Sequence, residues 1–146
     1  MLVVDANVLV YAVNTAEPQH ERSHRWLTDA FAGDETVGLP WSSLIAFLRV
    51  VTNPRLAARV VSYAAAADVV EAWLAQPVAR IVEPGPGHWP IFRRLLHDVD
   101  ARGGLVHDAH LAALAIEHDA TLISFDADFG RFPELRWTRP GVDGAG

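Results

Sequence analysis

The chain has 146 residues, 51% of them hydrophobic, no cysteine and a net charge of −6. That length fits one domain with a real core, and the composition excludes disorder, a disulfide scaffold, a thiolate zinc site and a catalytic thiol. The acidic balance argues against a simple basic nucleic-acid binder, yet leaves room for an enzyme that meets phosphates through metal ions held on acids.

The first run, the four residues Met1-Leu-Val-Val4, reads as a short strand with both faces covered, as in a parallel sheet. It ends at Asp5, after which Val8, Leu9, Tyr11 and Ala12 continue at helical spacing, with Asn7 placed to cap the helix. Asp5 therefore falls at the carboxyl end of a central strand, where open α/β sheets put their sites. No basic segment precedes an apolar one here, and no run approaches the roughly 20 apolar residues of a membrane span. A cytoplasmic protein is expected. All twelve basic residues are arginine, which reads as genome composition before it reads as phosphate recognition.

After a loop at Asn14-Thr-Ala-Glu-Pro18, the stretch from Gln19 to Ala32 puts Trp26, Leu27, Ala30 and Phe31 on one side and charges on the other, an amphipathic surface helix stopped by Gly33. Thr36 to Leu39 is a short strand, and Pro40 suits the opening of the next helix. Trp41 to Thr52 is so apolar that it is expected to pack on most sides, and Asn53-Pro54 ends it. Ser62 caps a further helix running to Ala75, and Ala79 to Val82 is a strand. His88 to Asp100 and His107 to His118 read as helices separated by Gly103-Gly104, and Thr121 to Ser124 as a strand. Phe125 to Phe132 is a turn or short helix, and Leu135 to Trp137 adds an edge strand. Strands alternating with helices predict a three-layer α/β/α sandwich with a mainly parallel central sheet. Residues 1–139 form this single domain, and 140–146 read as a flexible C-terminal tail.

Three acids fall where such a sheet has its carboxyl edge. Asp108, at the start of its helix, shares a stripe with Leu111, Ala112 and Ala115. A bland account exists for it, because negative charge near a helix N-terminus is stabilised by about 0.3–1 kcal/mol. Asp126 follows the strand at Thr121 to Ser124, with Asp128 two residues on, and alone it reads equally well as the cap of a short helix. Together with Asp5 the odds change. Two carboxylates about 4 Å apart repel by roughly 4 kcal/mol at an effective dielectric near 20, so protons or a cation must offset the cluster. Oxygen ligands without cysteine point to a hard divalent ion, Mg²⁺ or Mn²⁺.

Val-Val-Asp5-Ala-Asn7-Val-Leu, His107-Asp108-Ala-His-Leu-Ala-Ala-Leu-Ala and Leu-Ile-Ser124-Phe-Asp126-Ala-Asp128-Phe resemble the PIN-domain ribonucleases, specifically the VapC-type toxins of toxin–antitoxin pairs. Phe47-Leu-Arg-Val-Val-Thr-Asn-Pro54 extends the resemblance through the middle of the chain. It implies a Mg²⁺-dependent endoribonuclease that hydrolyses RNA phosphodiesters with a metal-activated water, leaving a 5′-phosphate and a 3′-hydroxyl. It also implies a homodimer and a VapB-type antitoxin partner. On this reading Asp5, Asp108 and Asp126 hold the metal, directly or through water, and Asp128 helps from the rim. Asn7 and Ser124 orient them as outer partners.

One departure matters. The family usually places a Glu just before the Phe-Leu-Arg-Val segment, and here that position is Ala46, with no Asp or Glu between Glu35 and Asp68. A rival reading follows, in which a catalytically weakened module binds RNA or an antitoxin and cuts nothing. Arg49, Arg55 and Arg59 are candidate contacts to RNA or antitoxin, and solvated surface arginines on the bland account. Trp41 is read as core or dimer interface before base-stacking platform.

Other readings fit less well. His107, His110 and His118 suggest a transition-metal site, but they project beside the Asp108 stripe and are read as surface histidines. His107-Asp108 is similar to the HD phosphohydrolases, which are helical and would leave Asp5 unexplained. Asp5-Ala-Asn7 is faintly similar to haloacid-dehalogenase-like phosphatases, which use a second Asp at the Asn7 position and a Lys that this chain lacks.

Overall fold

A computed structural model describes residues 1–57 and 59–142. Residues 143–146 of the expected tail lie outside the described residues. The elements run β1 (Leu2–Val4), α1 (Ala6–Val13), α2 (His20–Ala32), β2 (Val37–Pro40), α3 (Trp41–Val51), α4 (Tyr63–Leu74), β3 (Ala79–Val82), α5 (His88–Asp98), α6 (Gly104–Glu117), β4 (Thr121–Ile123), a 3-10 helix (Ala127–Arg131) and β5 (Arg136–Thr138).

The five strands form one sheet in the order β3-β2-β1-β4-β5, and every neighbouring pair is parallel. The chain steps outward from β1 to β2 and β3, then returns to lay β4 on the other side of β1. The strand order therefore reverses between β1 and β4. Side chains alternate across the sheet: Val4, Val37, Leu39 and Ile123 join the core under α1 to α4, while Val3, Val82 and Leu122 join the core under α5 and α6. The expected three-layer sandwich is what forms.

Gly38, in β2, shows how closely the neighbouring strands β1 and β3 crowd it. A Cβ there would lie 2.5 Å from Val82 Cγ2 and 2.9 Å from the Leu2 carbonyl oxygen, and the backbone contact cannot yield. Gly38→Ala is expected to cost about 1–3 kcal/mol, the usual penalty for overpacking; urea unfolding curves check it, and an unchanged midpoint would refute the tight contact.

Several local expectations are corrected. The cap of α1 is Asp5, whose side chain accepts from the Ala6 N–H, and not Asn7, which lies inside the helix. The last long helix begins at Gly104, three residues earlier than its polar start suggested. Gly103, at φ +54°, turns the chain and lets the helix start at once. Asp108 thus lies in the second turn, beyond the reach of the N-terminal dipole effect. On α3 only one side is covered: Leu44, Phe47 and Val51 are buried, but Trp41 and Ile45 are 47% and 60% exposed. The edge strand runs one residue later than expected, at Arg136–Thr138.

Candidate active site

The reversal of strand order brings the carboxyl ends of β1 and β4 side by side, the place where open α/β sheets leave a crevice. The Asp5 N–H donates to the Ile123 carbonyl at 3.0 Å, which extends the pairing of the two strands by one residue. Asp5 and the Ser124–Asp126 segment are locked together by side chains. Asp5 Oδ1 accepts from the Ala6 N–H at 2.7 Å, and Oδ2 accepts from Ser124 Oγ at 2.7 Å and Asn7 Nδ2 at 3.3 Å. Ser124, fully buried, in turn accepts from Asn7 Nδ2 at 3.0 Å and from the Asp126 N–H at 3.0 Å. Its hydroxyl thus gives one bond and takes two, the full capacity of the group. Asn7 Oδ1 accepts from the Phe125 N–H at 3.3 Å. This network fixes the turn after β4 against the end of β1.

Asp126 caps the 3-10 helix through the Asp128 N–H at 2.9 Å, so its bland role as a cap is real. A carboxylate oxygen from each of Asp108, Asp126 and Asp128 lies within 4.8 Å of the other two. Asp5 stands beside this group rather than in it. Burial, and after it the charges of Asp126, Asp5 and Asp128, push the Asp108 carboxyl up to about 6, with nearby His107 pulling the other way. Burial likewise raises Asp5, against the hydrogen bonds of Ser124 and Ala6 that favour its ionised form. Arg131, 3.3 Å from Asp128, is the one cation paired with the group among the described residues. A crowded, oxygen-only donor set short of compensating charge fits a hard divalent cation.

A cleft of about 520 Å³ opens on this edge, lined among others by Asp5, Asp108, His107, Ala46 and Arg49. The sequence pattern of the PIN domain matches residues 2–135, and the ribonuclease VapC37 of Mycobacterium tuberculosis is 48% identical over 140 residues, 96% of this chain and 97% of that one. This chain belongs to the VapC-type PIN-domain family. Ribonuclease VapC43 of the same organism is also 48% identical, over 99% of this chain and 97% of its own. Among solved structures, VapBC2 from Rickettsia felis bound to a promoter DNA fragment superposes with a TM-score of 0.71 at 18% identity, over 94% of this chain and 97% of that one. M. tuberculosis VapC20, described as a sarcin–ricin loop cleaving toxin, superposes at 0.65 with 19% identity, over 93% and 99%. Those two likenesses bear on the fold.

In this PIN domain Ala46 lines the cleft with Asp5 and Asp108, so the missing Glu would have stood at the acid cluster. Arg49 lines the same cleft, whereas Arg55 and Arg59 do not; the Arg59 guanidinium reaches Thr15 Oγ1 at 3.5 Å. His110 departs from the surface reading. It is half-buried, its Nδ1 lies 3.0 Å from Nε2 of the buried His88, and burial lowers the pKa of both rings. His107 is exposed at the cleft, and His118 faces the Glu83 carbonyl at 2.9 Å. Among the described residues the three histidines do not gather into a metal-binding group. Sequence reasoning passed over Ser42 and Ser43, which also line the cleft; their place in the first turn after Pro40 was the available signal.

Proposed function

We propose that this PIN domain is an endoribonuclease that hydrolyses RNA phosphodiesters with a divalent cation, Mg²⁺ with Mn²⁺ as a substitute, and that it acts as the toxin of a toxin–antitoxin pair. The observation that carries this reading is the meeting of Asp108, Asp126 and Asp128 within 4.8 Å, beside Asp5 at the reversal of strand order. Relatives at 48% identity bear the name ribonuclease.

Asp108, Asp126 and Asp128 would hold the cation, with Asp5 adding charge directly or through water. A divalent ion bound there supplies acidified water and neutralises charge on the scissile phosphate. The chain's own part is positional. Ser124 and Asn7 hold Asp5 in one orientation, and the Asp126 cap holds the turn that presents Asp126 and Asp128. The cleft beside them admits the strand.

The partners proposed are an RNA substrate, a VapB-type antitoxin and a second copy of the chain. Solved neighbours include toxin–antitoxin complexes, and Trp41, Ile45, Leu56, Val60 and Tyr63 leave apolar surface for protein contacts. No helix among the described residues is long and apolar enough to cross a membrane; the cytoplasm is the proposed place of action.

Purified protein is expected to cut RNA in Mg²⁺ or Mn²⁺, to stop in excess EDTA and to leave 5′-phosphate and 3′-hydroxyl ends. End-labelling and mapping of the fragments check this. Undiminished cutting in EDTA, or RNA binding without cutting in either metal, overturns the reading.

A further inference from the structure

One wall of the cleft has a chemistry opposite to that of the acid cluster. Helix α3 begins at Trp41 behind Pro40, and no side chain caps its free N–H groups. Ser43, in that first turn, is only 2% exposed, and its hydroxyl has no hydrogen-bond partner among the described residues. A buried, unpaired hydroxyl calls for an explanation, and Ser43 lines the cleft. Arg49 lines it too, two turns further along the helix. At 3.6 residues per turn Arg49 stands in line with Ser42, which lines the cleft in the first turn beside Ser43.

Arg49 is uncommitted. Arg94, Arg102, Arg131 and Arg136 each have a carboxylate partner within 4.0 Å, and among the described residues Arg49 has none. Ala46, one turn before it on the same helix, offers it no carboxylate. Free N–H groups at the positive end of a helix and a free guanidinium select an anion and disfavour a cation, and the unpaired hydroxyl has a proton to donate to it.

We propose that the first turn of α3, with the Ser43 hydroxyl and Arg49, seats a backbone phosphate of the RNA strand next to the scissile one. The inference rests on the ribonuclease reading. It gives a chain of net charge −6 a local means of holding a polyanion beside its acids, and it makes Arg49 and Ser43 positioning residues.

The test uses a labelled single-stranded RNA, binding to the full chain in an Asp108→Asn background, and cleavage kinetics in the otherwise wild-type chain. Arg49→Gln is expected to raise KM several-fold, more than it lowers kcat, and to flatten the slope of log K against log salt by about 0.7, one phosphate contact on a single strand. Arg49→Lys restores most of the slope. Ser43→Ala raises KM in the same sense, and a melting curve verifies its fold; exposed Arg49 carries the test if that variant does not fold. Arg93→Gln, a loss of charge outside the cleft lining, leaves the slope unchanged. Wild-type protein that cuts RNA while Arg49→Gln keeps its KM and salt slope overturns the seat alone. Weakened binding of a co-expressed antitoxin with RNA binding untouched also overturns it, by assigning the wall to a protein partner. Wild-type protein that cuts no RNA in either metal overturns the ribonuclease reading and the seat with it.

Discussion

Asp5→Asn is expected to abolish RNA cleavage while leaving the chain folded. The loss should exceed the roughly 10–100-fold that removal of an outer partner costs a metal site, because Asp5 supplies charge to the cluster and also anchors the network that orients it. Asn preserves the helix cap, since its carbonyl oxygen can accept from the Ala6 N–H as Asp5 Oδ1 does now. On the other side an Nδ2 group would face Ser124 Oγ and Asn7 Nδ2. Ser124 already accepts two hydrogen bonds and would lose the acceptor for its own proton. Against that cost, the substitution removes a buried charge that repels Asp126, and burial is the larger influence on Asp5. The two effects oppose each other, so the melting temperature should move little while activity falls. A cleavage assay paired with a circular dichroism melt separates them. Activity within tenfold of wild type, in a chain that melts normally, would show that the charge at the end of β1 is structural only.

The same residue shows what a sequence can and cannot reveal. Asp5 was recognisable because a lone carboxylate closing a buried strand has few explanations, and the order of strands and helices then placed it at a sheet's carboxyl edge. The alternation of Val3 and Val4 between two cores follows from the period of a strand. Boundaries were less legible where glycine intervened: Gly103 looks like a break in the sequence, yet its positive φ starts the helix that carries Asp108 into its second turn. The exposure of Ile45 was hidden for a different reason. Composition reports how much apolar surface a helix has, and not whether another element arrives to cover it. The His88–His110 contact joins two helices across 22 positions, a distance that no local period encodes. The grouping of Asp108 with Asp126 and Asp128, leaving Asp5 to one side, is a matter of side-chain reach that strand order alone cannot supply.

Asp108→Asn should stabilise the metal-free chain at neutral pH and abolish its response to metal. The direction follows from linkage. The Asp108 carboxyl is raised from 3.8 to about 6 by burial and by its acidic neighbours, so between those values the folded chain binds more protons than the unfolded one. Its contribution is therefore most favourable at low pH and is lost as pH rises through about 6. Wild-type protein without metal should melt at a lower temperature at pH 7.5 than its other groups alone would dictate, and the Asn variant, uncharged throughout, should lose that part of the pH dependence. A divalent cation reverses the sign by rewarding the ionised form. At a hundredfold excess over its Kd, a ligand specific to the folded state adds about 2.7 kcal/mol, or roughly 5–11 °C for a chain of this size. That gain should appear in wild type at pH 7.5, shrink at pH 5 where protons compete for Asp108, and be missing from the variant. Differential scanning fluorimetry in EDTA, Mg²⁺ and Mn²⁺ at the two pH values reads all of these at once. If the variant melts lower than wild type without metal, Asp108 is held by favourable contacts and not by crowding. If the variant keeps the metal response, the cation is bound elsewhere, and the cluster of Asp108, Asp126 and Asp128 is not its site.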